Sequence, residues 1–187
     1  MPPLRPVFDR LLAAYGPRHW WPGESRLEIM IGAVLVQNTA WPNAQRALLT
    51  LQANGYLTSG NAGNPDDARR LGMLGPSGIA ALIRPAGTYR IKAQRVWNLL
   101  DWLLARCAGR IDQLAIVPTP ILRAELLAVS GIGPETADAL ALYVCNRPTF
   151  VIDAYARRVL TRHGWAFPTA DYHSLQEIFH RGLPADE

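Results

Sequence analysis

Residues 127–140 run Leu127-Ala128-Val129-Ser130-Gly131-Ile132-Gly133-Pro134-Glu135-Thr136-Ala137-Asp138-Ala139-Leu140. A helical apolar pattern ends near Val129, two glycines flank Ile132, and Pro134 stands where a new helix opens. Gly131 and Gly133 allow positive φ and a close backbone approach to another molecule, while Pro134 suits a first helical turn. The stretch predicts helix, tight hairpin, helix. Backbone N–H groups in such a corner, backed by a helix N-terminus, can dock a phosphate. An ordinary helix-turn-helix corner carries the same glycines, so the hairpin alone sets local structure and not function.

Immediately downstream, Arg147-Pro148-Thr149-Phe150-Val151-Ile152 is an apolar extended run that delivers Asp153 to the start of a helix at Ala154. Asp153 there is either an N-cap accepting a backbone N–H bond or a carboxylate at the mouth of a cleft, able to activate water or stabilise a cationic sugar. One residue can do both.

Around these segments the periodicity is helical and no long stretch alternates at period two. Helices are expected over 7–15, 26–36, 42–53, 65–73, 76–83, 91–108, 120–129, 134–145, 154–163 and 172–181. Ser25 followed by Glu28 reads as a capping box, and 26–36 is apolar nearly all round, as a central buried helix is. Gly60, Asn61, Gly63, Asn64 and Pro65 mark 57–67 as a mobile surface loop. Short helices joined by Gly and Pro turns make an all-α orthogonal array.

Composition agrees with one domain or two small lobes: 187 residues, 49% apolar, 18% charged, 15 Gly, 15 Pro and 2 Cys. It excludes collagenous, disordered and disulfide-framed chains. The longest apolar run, near 29–36, is broken by Gly32 and falls far short of the ~20 residues of a membrane span. Nothing at 1–6 resembles an export signal, so no membrane partner and a cytoplasmic, reducing setting are expected. The net charge of +4 includes 18 Arg and a single lysine, Lys92. Arginine suits phosphate, although Arg-favouring codon usage gives the same skew. Lys92 is then the one side-chain amine for Schiff-base chemistry.

Taken in order, the hairpin 129–137, the segment Val151-Ile152-Asp153-Ala154-Tyr155, and upstream Gly32-Ala33-Val34-Leu35-Val36-Gln37-Asn38-Thr39 and Ala86-Gly87-Thr88-Tyr89-Arg90-Ile91-Lys92-Ala93 resemble the helix-hairpin-helix DNA glycosylases of the endonuclease III superfamily. The resemblance covers nearly the whole chain. It implies an all-α, two-lobed helical array with a DNA cleft between the lobes. One glycosylase unit spans 1–187, with 26–130 the central lobe and 1–25 plus 131–187 the second, whose C-terminus is suspected to be incomplete. It also implies Asp153 as the catalytic residue, phosphate binding at Gly131, Ile132, Gly133 and Thr136, and a wedge of Gln37, Thr88 and Tyr89 that fills the stack when a base is flipped. Gln37 could instead satisfy buried backbone, and Tyr89 could simply pack. The family's hairpin commonly holds a monovalent cation, here at the backbone of Ala128, Val129, Ser130 and Gly133.

Departures sharpen the expectation. Bifunctional members carry a lysine in the hairpin where this chain has Glu135, and a carboxylate cannot form a Schiff base. Lys92 falls elsewhere and is expected as a solvated helix residue. A monofunctional enzyme working through Asp153 and water follows, with no strand-cleaving lyase step. Mismatched-adenine enzymes place a catalytic Glu where this chain has Ala33. Relatives commonly continue into a four-cysteine iron–sulfur loop, whereas Cys107 and Cys145 lie 38 positions apart and are expected buried. No iron–sulfur cluster and no required cofactor are expected.

His19-Trp20-Trp21-Pro22 and Trp41 resemble the 3-methyladenine glycosylase branch, in which such residues sandwich an alkylated base. An alkylated purine is a flat cation drawn to indole faces. Core or interface packing of these tryptophans is the competing view. The expected function is base excision of an alkylated purine such as 3-methyladenine from double-stranded DNA by a monomer. An oxidised-pyrimidine enzyme and a truncated, non-catalytic DNA binder are the alternatives. Arg157, Arg158 and Arg162 are expected to face phosphates in part.

Overall fold

The computed structural model describes residues 2–18, 20–60 and 64–183, and every regular element among them is helical. His19 and 61–63 of the glycine-rich loop lie outside the described residues. In chain order the α-helices are α1 (Leu4–Tyr15), α2 (Arg26–Leu35), α3 (Trp41–Ala53), α4 (Pro65–Met73), α5 (Gly75–Leu82), α6 (Tyr89–Cys107), α7 (Thr119–Ala128), α8 (Pro134–Tyr143), α9 (Ala154–Arg162) and α10 (Tyr172–Gly182). Two 3-10 turns not foreseen in the sequence, Arg84–Ala86 and Ile111–Ile116, flank α6. No helix among the described residues is long and apolar enough to cross a membrane. α1 begins earlier than expected because Pro6 falls in its first turn, where a missing N–H costs no helical bond.

The chain divides into two compact units, one of Met1–Trp20 with Arg147–Glu187, the other Trp21–Asn146. Residues 131–146, expected with the second lobe, fall in the larger unit. The reason is packing: Ile132, Ala137, Leu140 and Val144 share one buried cluster with Met30, Ile31 and Val34 of α2 and Leu99 and Leu103 of α6.

In the larger unit α2 is central, with eight of its ten residues buried. Ser25 Oγ accepts the Glu28 N–H at 3.2 Å, and the Glu28 carboxylate accepts the Glu24 N–H at 2.9 Å, so the capping motif forms one residue wider than the usual box. The start of the glycine-rich segment is anchored. Asp67, 1% exposed, accepts both the N–H and the hydroxyl of Thr58 at 2.8 and 2.7 Å and pairs with Arg70. A buried carboxylate requires such partners. α7 and α8 are braced by Arg123, whose Nε and Nη2 donate to the two oxygens of buried Asp138 at 2.7 and 3.3 Å. Cys107 and Cys145 are buried, as expected of apolar residues, and burial pushes the Cys107 thiol up from its ordinary value.

The smaller unit has its own core of Ile152, Leu160 and Leu175, on which Phe150, Trp165, Tyr172 and Phe179 pack. Both of its later helices start at an aspartate cap. Asp153 Oδ1 accepts the Ala156 N–H at 2.7 Å, and Asp171 accepts the Ser174 N–H and hydroxyl at 2.8 Å each. These bonds hold the Asp171 carboxyl below the usual carboxylate range.

Candidate nucleic-acid interface

The two hairpin glycines do different work. Gly131 sits at φ +96°, and a Cβ there would lie 2.3 Å from Arg95 Cγ, so both backbone and packing demand glycine. Gly133 is extended, at φ −95° and ψ 178°, and a Cβ there would meet nothing within 4 Å. The fold itself does not need glycine at Gly133. Ile132 is buried and holds the turn closed, its N–H donating to the Val129 carbonyl at 3.0 Å. Gly133 caps α8, its carbonyl accepting the Ala137 N–H at 2.9 Å. The positive end of α8 therefore opens beside Gly133. Glu135, expected from the resemblance at the lysine position, is exposed in that first turn.

Gln37 holds the hairpin from the far side. Its Nε2 donates to the Gly131 carbonyl at 3.2 Å and to Thr136 Oγ1 at 2.9 Å, and its Oε1 accepts from Arg95 Nη1 at 2.5 Å. The Thr136 hydroxyl is thus turned inward on a buried residue, not outward towards a ligand. Asn98 Nδ2 donates to the Ser130 carbonyl at 3.0 Å. Arg95 and Asn98, neither singled out from the sequence, stand three apart on α6 and so share a face, which is the signal that could have found them.

Lys92 corrects an expectation. It is not solvated: it is 2% exposed, and its Nζ donates to the carbonyls of Leu35 at 2.8 Å and Ala86 at 2.6 Å. Burial and the charge of Arg95 lower its pKa from the usual lysine value. Two residues beyond those carbonyls stand Gln37 and Thr88. Thr88 is exposed at φ +29° and ψ 37°, a strained conformation for a β-branched residue. Tyr89 is half-buried against the core, with the Arg90 guanidinium 5.4 Å from its ring centre.

Trp21 and Trp41 meet edge to face with ring centres 5.6 Å apart, and Tyr143, which the sequence did not single out, lies 5.7 Å from Trp21. Gly32 makes room for this cluster, since a Cβ there would stand 3.3 Å from Trp21 Nε1. Pro22 is exposed beside it in sequence. Trp20 belongs to the smaller unit and is 51% exposed. Trp21 thus meets both Trp41 and Tyr143, and the three rings make a partly buried aromatic wall.

Ala128, Val129 and Ser130 line a shallow open depression of about 380 Å³ with Asn98, Asp101, Trp102 and Glu125. The carbonyls of Val129, Ser130 and Gly133 each accept one bond already, leaving a second lone pair. In the smaller unit Asp153 is half-buried and performs the N-cap role, with its second oxygen outside that bond. Of the arginines on α9, Arg157 donates to the Ala170 carbonyl at 2.6 Å, and the Arg158 guanidinium lies 4.9 Å from the Tyr155 ring centre.

No family model matches the chain. It is 38% identical over 182 residues to a "putative DNA repair glycosylase" of Methanocaldococcus jannaschii, an alignment covering 96% of this chain and 78% of that one. It is 27% identical over 158 residues to the endonuclease III of Thermotoga maritima, covering 84% of this chain and 65% of that one. Among solved structures, the Helicobacter pylori 3-methyladenine DNA glycosylase bound to 1,N6-ethenoadenine superposes with a TM-score of 0.79 at 29% identity, covering 96% and 79% of the two chains. With ordered sequence motifs, a glycine hairpin between two braced helices and relatives of this kind, the chain belongs to the endonuclease III-like, helix-hairpin-helix superfamily of DNA glycosylases.

Proposed function

We propose that the protein is a monofunctional base-excision enzyme that hydrolyses the N-glycosidic bond of an alkylated purine such as 3-methyladenine in double-stranded DNA. The observation that carries the DNA-binding part is Gly133: an extended glycine over open space, at the mouth of a helix N-terminus, is what close approach of a phosphate requires. Of the expected phosphate-binding residues the backbone of Gly131, Gly133 and Thr136 supplies the contact, while the Ile132 N–H closes the turn and the Thr136 side chain serves the hairpin. Trp21 and Trp41, joined by Tyr143, offer ring faces to a flat cationic base. Pro22 is exposed next to Trp21 in the chain, and Trp20 is kept as a candidate on the sequence resemblance alone. The Helicobacter pylori neighbour, a 3-methyladenine DNA glycosylase bound to 1,N6-ethenoadenine, supports the same substrate class.

Asp153 is the carboxylate assigned to the sugar. One oxygen is fixed by the Ala156 N–H, and the other is the group that would act on water or the developing cation. An N-glycosidic bond to a cationic base is already weak, so little further acid catalysis is needed. Glu135 offers no amine and Lys92 Nζ is buried, which favours hydrolysis over a lyase step. Strained Thr88 with Tyr89 is the preferred wedge. Gln37 joins them only by giving up its bonds to the hairpin. A monovalent cation at the carbonyls of Ala128, Val129, Ser130 and Gly133 belongs to the same proposal and would add positive charge where the phosphate docks. A monomer acting without further cofactor completes it.

The test is release of free 3-methyladenine from methylated duplex DNA. Wild type should release it and Asp153→Asn should not, while both bind DNA alike; Asn caps helices as well as Asp, so the variant keeps its fold. Release of oxidised pyrimidines instead would favour the alternative substrate class. Binding with no release on a panel of lesions would leave a non-catalytic binder.

A further inference from the structure

The extended run before Asp153 has no strand to pair with among the described residues, and one face of α10 takes its backbone bonds. Tyr172, Gln176 and His180 stand at i, i+4 and i+8, one above the other along the helix. The Ile152 N–H donates to Tyr172 Oη at 3.3 Å. Gln176 Nε2 donates to the Phe150 carbonyl at 2.8 Å and to Thr149 Oγ1 at 3.2 Å. The Phe150 N–H donates to His180 Nε2 at 3.2 Å, and the Phe150 ring stacks on Phe179 with centres 3.5 Å apart. Ile152, buried in the small core, is the residue next to Asp153.

We infer that Tyr172, Gln176 and His180 are positioning residues that act through the backbone of 149–152 to fix where Asp153 presents its carboxylate. This rests on Asp153 being the catalytic group. The segment is fastened on one side of Asp153 by these three side chains and on the other by the Ala156 cap, which leaves the aspartate few torsions to vary. The residue types follow from the role. His180 is exposed and Tyr172 half-exposed, so packing alone does not ask for an acceptor at either place. The backbone N–H groups of 150 and 152 do. Reacting groups displaced by about 1 Å lose on the order of 100-fold in rate, so a small slackening of this run has a large readout.

The test uses the whole chain in four variants: Tyr172→Phe, His180→Leu, His180→Gln and Asp153→Asn. Three measurements are made: single-turnover release of 3-methyladenine, affinity for duplex DNA carrying an abasic-site analogue, and amide hydrogen exchange at Phe150, Ile152 and Ala156. Tyr172→Phe and His180→Leu should slow release about 10- to 100-fold with affinity unchanged. The Ile152 amide should exchange faster in the first and the Phe150 amide in the second. His180→Gln, which keeps an acceptor, should recover most of the rate and the protection. Unchanged release in folded Tyr172→Phe and His180→Leu, or no recovery in His180→Gln, overturns the positioning role. If Asp153→Asn releases base as fast as wild type, the assignment of Asp153 itself fails and takes the positioning role with it. The two failures are told apart by that one variant.

Discussion

Gln37 and Gly131, 94 residues apart in the chain, are joined by a hydrogen bond from the Gln37 amide nitrogen to the Gly131 carbonyl at 3.2 Å. With the bonds to Thr136 and Arg95, the amide of Gln37 ties the end of α2 to the hairpin and to α6. A hydrogen bond is worth about 0.5–1.5 kcal/mol net, more when one partner is charged. Gln37→Leu should therefore cost about 2–4 kcal/mol in urea unfolding. A residue that served only as a wedge for DNA would change stability by no more than about 0.5 kcal/mol, as exposed side chains do.

Gly131→Ala should be worse than helix propensity alone explains. The left-handed backbone costs about 1–2 kcal/mol for a residue with a Cβ, and the new atom would fall 2.3 Å from Arg95 Cγ. Arg95→Ala removes the two shortest contacts, leaving the position-95 Cβ at 3.1 Å, but not the backbone strain. The double variant should thus be more stable than the sum of the two losses, a coupling that a thermodynamic cycle measures. Gly133→Ala, over open space, should leave stability within about 1 kcal/mol and weaken DNA binding instead. If Gly133→Ala binds DNA as wild type does, close approach at this glycine is not the docking contact.

The split between what the sequence disclosed and what it hid follows the range of the interactions. Ser25 and Asp153 are legible as helix starts because a cap acts within three residues; Asn64 and Asp171 cap helices in the same way without having been singled out, and 65–73 matches the expected bounds to the residue. The hairpin was readable in the same way. A backbone bond was one of two readings of Gln37, but its partner, like the roles of Arg95 and Asn98, was not readable, because a polar side chain's partner across 32 to 94 residues is chosen by the tertiary fold. Lys92 was misjudged on residue type, although its register gave a signal: it lines up with buried Val96, Leu99 and Leu103, on the apolar stripe of α6. Trp20 and Trp21, adjacent in the chain, fall on either side of the boundary between the two units.

Lys92→Met should destabilise the larger unit by orphaning the Leu35 and Ala86 carbonyls, each at about 1–3 kcal/mol. Its pH dependence has a definite sign. The folded state lowers the Lys92 pKa from the usual 10.5, so in the window between that lowered value and 10.5 the unfolded chain binds more protons. The contribution of this group to stability therefore rises with pH across the window and is smallest below it. A neutral amine still has two N–H groups for the two carbonyls, so deprotonation breaks neither bond. Chemical unfolding of wild type and Lys92→Met through the alkaline range should show their stability gap widening with pH. A gap that narrows would mean that the ammonium is favoured in the fold.

Glu135 offers the sharpest check on the hydrolytic assignment, because the chemistry can be switched on where it is missing. Wild type should give no borohydride-trapped adduct on abasic DNA, since the hairpin holds a carboxylate and Lys92 Nζ is spent on two buried carbonyls. Glu135→Lys puts an amine in the exposed first turn of α8. It exchanges a favourable for an unfavourable charge at a helix N-terminus, a penalty of about 1 kcal/mol that the fold should tolerate. The expected outcome is a covalent adduct of one chain per abasic strand on a denaturing gel, seen with Glu135→Lys and absent from wild type. Trapping by wild type that persists in Lys92→Ala would place the nucleophile elsewhere and end the case for water. Failure of well-folded, DNA-binding Glu135→Lys to trap would show that the first turn of α8 does not reach the sugar, and would remove the hairpin from the chemistry while leaving it a role in docking.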